Sequence, residues 1–122
     1  MTAILCFGSN LAGAHNGGAA RHAVEEWGAA MGYPVGLYGK SYAIPTMDAN
    51  FQTLSVEQIA TYVRAFVEFA AKHPRKSFLV TAIGCGIAGH DPADIAPLFA
   101  GASENVFLSE KLVAALRQKG NV

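Results

Sequence analysis

Charge is scarce in this chain. Only 15% of its 122 residues are Asp, Glu, Lys or Arg, and nine acidic residues balance nine basic ones to a formal net charge of zero. With no basic stripe to release counterions from a polyanion, non-specific nucleic-acid binding is not expected. Long apolar runs are lacking too. None reaches the ~20 residues of a membrane span, and the opening Met1-Thr2-Ala3-Ile4-Leu5-Cys6-Phe7 lacks the basic flank of a signal peptide. No membrane partner is expected. Cysteine is limited to Cys6 and Cys85, both in or beside strands that read as buried. Such thiols suit a reducing compartment, so the expected location is cytoplasmic. The histidines, His15, His22, His73 and His90, have no paired ligand spacing, so neither a metal nor a cofactor is expected.

What the chain has in quantity is apolar residues, 52%, and thirteen glycines in clusters. Its length suits one domain, residues 1–122, around a single core. Thr2 to Phe7 reads as a buried strand, with Gly8-Ser9-Asn10 turning the chain. Gly17 to Met31 carries Ala19, Ala20, Ala23, Val24, Trp27 and Ala30 at helical spacing, with Gly32 as the stop. Leu37 to Ile44 is strand-like, interrupted by Gly39 and ended by Pro45. Ser55 and Gln58 form a capping box before a helix burying Val56, Ile59, Ala60, Val63, Phe66, Val67 and Ala70. Ser77 to Ile83 is expected to be the central strand. Asp91-Pro92 caps a short helix to about Phe99, Asn105 to Leu108 is a last strand, and Ser109 opens a final helix ending near Gly120. This alternation predicts a three-layer α/β/α domain on a mostly parallel sheet.

Two glycine-rich runs mark the candidate site. Thr81 to Gly89 leads a strand into Gly84, Gly86 and Gly89, and Gly8 to Ala20 follows another strand and opens a helix at Gly17-Gly18-Ala19-Ala20. Backbone stripped of side chains can approach an anion and present bare N–H groups, helped by the helix macrodipole. In open α/β sheets the ligand lies beyond the carboxyl ends of the strands, where both runs sit. The alternative is that the glycines only allow tight turns. No Lys-Ser or Lys-Thr follows either run, which excludes a Walker A loop. Gly84-Cys85-Gly86-Ile87-Ala88-Gly89 spells a dinucleotide fingerprint but lacks the acidic partner at a following strand end.

The order strand, Gly8-Ser9-Asn10, glycine-alanine helix start, Ser41-Tyr42-Ala43-Ile44-Pro45-Thr46, then Ile83-Gly84-Cys85-Gly86-Ile87 resembles the macro domains, which bind ADP-ribose. It looks most like the terminal ADP-ribose glycohydrolase branch and its short bacterial and phage relatives, over Ile4 to about Phe99. The resemblance implies that Gly17–Ala20 and Gly84–Ala88 wrap the diphosphate and distal ribose, with Asn10 near that ribose. Implied ligand contacts are therefore Gly8, Ser9, Asn10, Gly17, Gly18, Ala19, Ala20, Pro45, Thr46, Gly84, Cys85, Gly86, Ile87 and Ala88. Departures stand beside the matches. The branch's nucleophilic lysine is Met47 here, and its aspartate after Gly-Cys-Gly-aliphatic is Ala88. Neither side chain supports covalent or acid–base catalysis. The first-loop aspartate of other hydrolytic macro domains has Asn16 or Gly17 as nearest match. The family's N-terminal strand pair, with its adenine-binding aspartate, has no counterpart before Gly8.

Three readings stand on these residues. The first is binding of ADP-ribose or a related nucleotide diphosphate, free or on a modified macromolecule. The second is an ADP-ribosyl hydrolase with a rearranged set, for which Asn10, His15 and Asp91 are the candidates and Asp48 a reserve contact. The third is a small oligomeric interaction protein, since low charge and the alanine pairs Ala29-Ala30 and Ala114-Ala115 suit a homo-oligomer interface. Against these, His15 also reads as an exposed loop histidine, Asp91 as an N-cap, and Cys85 as a small buried residue rather than an activated thiolate. Trp27 and Phe66 read as core. Among Tyr38, Tyr42 and Phe51, one is a candidate for stacking on a base.

Overall fold

Strand β1, Thr2–Asn10, is the middle of the sheet, with neighbours on both sides. The computed structural model describes residues 2–120, and within them five strands follow the order β2-β3-β1-β4-β5. β2 is Gly36–Tyr38, β3 Ser41–Met47, β4 Lys76–Val80 and β5 Val106–Leu108. Three of the four pairings are parallel, and β2–β3 is an antiparallel hairpin. Helices α1 (Gly18–Trp27), α2 (Val56–Ala71), α3 (Pro92–Ile95) and α4 (Glu110–Gly120) complete a three-layer α/β/α domain, with a 3-10 turn at Ala96–Phe99.

Alternation along the strands divides the core in two. Ile4, Cys6, Tyr42, Ile44, Phe78 and Val80 face α2, α3, the 3-10 turn and α4, where they meet Ile59, Val63, Phe66, Ile95, Phe99 and Leu112. Phe7 and Ala43 face the other way, onto Ala23 of α1 and Ala29. Among the described helices only α1 joins that cluster, and Leu79 and Phe107 on β4 and β5 are exposed. Ala29 and Ala115 are buried in these two clusters, so the expected alanine interface is half consumed by the core.

Local signals account for most boundaries. Ser55 and Gln58 form both bonds of the capping box, and Asp91 caps α3 by accepting the Ala93 N–H with Pro92 in the first turn. Several expectations require correction. Gly8 to Asn10 does not turn the chain, because Gly8 and Ser9 stay in register with Ile44 and Pro45. Pro45 does not end β3, because β2 pairs only as far as Ala43 and beyond it an absent N–H interrupts nothing on that side. α1 stops four residues before Gly32, at Gly28, whose left-handed backbone (φ 78°) returns its N–H to Ala23. Trp27, the last residue of α1, is consequently half-buried, donating from Nε1 to His22 Nε2 at the surface. β4 leaves the ladder at Val80 and flanks the centre, which β1 occupies. Thr81 instead bonds Cys6 carbonyl through both its N–H and its Oγ1.

Candidate functional site

The carboxyl ends of β1, β3 and β4 open onto one cleft of ≈ 640 Å³, a size suited to a small-molecule ligand. Its walls are the two glycine runs. Gly17, Gly18, Ala19 and Ala20 stand on one side, and Gly84, Cys85, Gly86, Ile87 and Ala88 on the other. Gly8, Ser9, Asn10 and Thr46 form the floor between them, together with Met47 and Thr81 to Ile83. At Gly8 a Cβ would stand 3.2 Å from Thr46 Oγ1 and 3.5 Å from the Gly84 nitrogen, so glycine lets three strand ends converge. Of the fourteen positions implied as ligand contacts, Pro45 alone is absent from the lining, because it is fully buried behind Thr46.

Residues with unbonded backbone donors line the cleft. Among the described residues, the N–H groups of Gly17, Gly18, Ala19 and Ala20 have no acceptor, as befits the first turn of a helix. Those of Gly86, Ile87 and Ala88 are likewise unbonded, the Gly84–Gly89 loop being closed by Cys85 N–H to Ala82 O, Gly89 N–H to Gly86 O and His90 N–H to Gly84 O. Both sets belong to residues lining the same cleft. Lys111, in the first turn of α4, is the only charged residue of that lining, and it has no carboxylate partner within 4.0 Å among the described residues. The arrangement can hold an anion by dipoles and one full positive charge. The described residues contain no group of three or more His, Cys, Asp or Glu placed to hold a metal ion, and no helix long and apolar enough to cross a membrane.

The candidate catalytic residues do not meet. Asn10 lines the cleft, but its carboxamide staples the first loop, donating from Nδ2 to Ala14 O (2.8 Å) and accepting the Ala14 N–H at Oδ1. His15 is neither an exposed loop residue nor part of the cleft. It is 3% exposed, edge-on to the Phe7 ring, and Nε2 donates to Tyr33 O while Nδ1 has no partner among the described residues. Asp91 is occupied as the α3 cap, outside the lining. Asp48 builds a turn, its Oδ1 accepting the N–H groups of Asn50 and Gln52. Met47 and Ala88, which replace the resemblance's lysine and aspartate, both line the cleft with a thioether and a methyl group.

Cys85 is partly buried with Sγ on the Ile83 carbonyl, and burial raises its pKa above the ordinary 9.0, against a smaller lowering by Lys111 and a raising by Asp91. The thiol is thus neutral at pH 7 and gains reactivity only as pH rises through that elevated value. Iodoacetamide is expected to label Cys85 slowly at pH 7 and much faster above pH ~9, with Cys6 untouched until unfolding because burial pushes its pKa further up. Mass spectrometry of the labelled peptides reads both rates.

Of the aromatic candidates, Tyr42 is buried against Phe66 and Phe69, and Tyr38 packs on Tyr33. Phe51 alone reaches the cleft. Lys111 carried no local signal in the sequence. It reaches the site because β5 lies next to β4 and delivers α4 beside the second loop.

No family model matches the chain, and neither a curated protein nor a solved structure is significantly similar to it.

Proposed function

We propose that this chain binds ADP-ribose or a related nucleotide diphosphate in the cleft between the two glycine loops, as a compact macro-domain-like module. The observation that carries the reading is the pair of unbonded N–H sets, Gly17 to Ala20 and Gly86 to Ala88, on residues that line one cleft whose only charged lining residue is Lys111. A diphosphate matches that pattern, because each phosphate offers several acceptors and a charge of the right sign. The side chains of Asn10, Ser9 and Thr46 are taken up by Ala14, the Pro34 carbonyl and the Ser9 carbonyl, so the bare backbone and Lys111 supply the donors of the reading. Binding, and not turnover, is the proposal. Met47 and Ala88 supply no nucleophile or base, and Asn10, His15 and Asp91 are engaged in three separate structural roles.

Titration calorimetry with ADP-ribose is the direct test. Lys111→Ala should weaken binding about tenfold, the worth of one charge-assisted contact, and flatten its dependence on salt, while Lys111→Arg keeps both. No heat from folded protein at millimolar ADP-ribose would sink the ligand assignment. A second reading, a self-associating interaction protein, is favoured by exposed Leu79 and Phe107 side by side on β4 and β5. Light scattering over a range of concentrations separates it, since Phe107→Lys then lowers the assembly mass without touching ligand binding.

A further inference from the structure

Phe51 is where the backbone is held against its preference. It is the one described non-glycine residue in the left-handed region, at φ 61°, and the residue is 54% exposed and lines the cleft. A bulky side chain there is unfavourable, and such outliers persist only where surrounding contacts enforce them. The surroundings do so. Asp48 N–H bonds Gln52 O, Phe51 N–H bonds Asp48 O, and Asp48 Oδ1 takes two further N–H groups of the same turn. Met47 bridges to Thr53, and Leu54 N–H returns to Thr46 O. The turn is also tied across the cleft wall, with Thr53 Oγ1 donating to Ala88 O (2.8 Å) and His90 Nε2 to Leu54 O (2.7 Å). A multiply hydrogen-bonded turn thus presents, at the cleft, an apolar ring that packs on no other ring among the described residues.

Topology sets what else lines the cleft. The turn follows β3, whereas Lys111 follows β5, three strands along the order β3-β1-β4-β5. Phe51 and Lys111 both line the cleft, together with the residues that carry the bare N–H groups. Resting on the nucleotide reading above, we propose that Phe51 is the stacking face for a planar aromatic ring of the bound nucleotide. The ring can be the adenine itself or a heterocycle joined to the distal ribose. ADP-ribose and NAD share the adenine, and only NAD carries the second ring, so the pair distinguishes the two sources.

The test compares wild type with Phe51→Ala, Phe51→Gly and Phe51→Trp by calorimetry with both nucleotides, and follows the Phe51 ring protons by NMR. Truncation should weaken binding roughly 10- to 100-fold, the range for loss of one base–aromatic stack, with Phe51→Trp close to wild type. Equal losses for both nucleotides assign the adenine; a loss confined to NAD assigns the ribose-linked ring. Upfield shifts of the Phe51 ring signals on binding are the spectroscopic mark of stacking. Phe51→Gly should also melt above Phe51→Ala, because glycine adopts φ 61° without strain, which separates backbone from ring. Tight binding by wild type that neither truncation weakens overturns the stacking role alone. Absence of binding by wild type overturns the nucleotide reading with it.

Discussion

Gly86→Trp is expected to reduce ADP-ribose affinity at least about 100-fold while leaving the fold intact, the loss expected when ligand and side chain compete for one cleft. The residue is exposed in the second loop and lines the cleft. A Cβ placed on it meets no heavy atom within 4 Å, and its backbone lies outside the left-handed region. A Cβ at this position displaces nothing, and an indole on a cleft-lining loop residue competes with a ligand held between the loops. Stability should change by no more than about 0.5 kcal/mol, the range for exposed sites free of special roles. The Gly86 carbonyl, which accepts the Gly89 N–H and closes the loop, is kept. Tryptophan at exposed Ala114 on α4 is the matched control. Thermal melts and calorimetry on the two variants decide the matter. If Gly86→Trp binds as wild type does, the ligand does not lie between the glycine loops.

Phe66→Ala should produce the largest loss of stability, about 3–5 kcal/mol. The ring is wholly buried on α2 and lies 5.0 Å from Tyr42 and 5.4 Å from Phe78 by centroid, both edge-on, and 6.0 Å from Phe99. It therefore joins α2 to β3, β4 and the 3-10 turn. Truncation removes the buried apolar area and leaves a void that three rings from different elements cannot all close. Against a total stability of about 5–15 kcal/mol for a domain of this size, the melting temperature should fall by roughly 10–20 °C. Phe66→Leu, which keeps most of the volume, should cost about half as much or less. Because Phe66 is remote from the cleft lining, ADP-ribose affinity measured well below the lowered melting point should be close to wild type. Equal loss from Phe66→Leu and Phe66→Ala would show that the cavity argument is wrong.

Wherever the decisive interaction was local, the sequence was sufficient. Ser55 with Gln58, Asp91 with Pro92, and the helical spacing from Ile59 to Ala70 each involve residues within a turn or two of one another, and the structure reproduces all three. Gly84-Cys85-Gly86 and Gly17-Gly18 likewise announced bare backbone after a strand, and both line the cleft. The turn expected at Gly8 and the stop expected at Pro45 fail for one cause. Gly8, Ser9 and Pro45 look like chain breakers, yet they remain in strands because β1 and β3 hold each other in register over that stretch. A ladder between residues more than 30 positions apart overrides the local preference of three.

The sequence by itself determined the class of the domain, its strand–helix rhythm and the two glycine-rich loops, since these follow from periodicity and from residues that only suit certain backbone conformations. Tertiary structure alone decided that the loops face each other across one cleft, that β1 is the centre of the sheet, and that His15 turns into the core. It also brought Lys111 from the last helix to the cleft and forced Phe51 into the left-handed region at its edge. Each of these depends on which strand lies beside which and on hydrogen bonds such as Thr53 to Ala88, 35 residues apart. Local chemistry specifies the elements, but a site is made by neighbours in space.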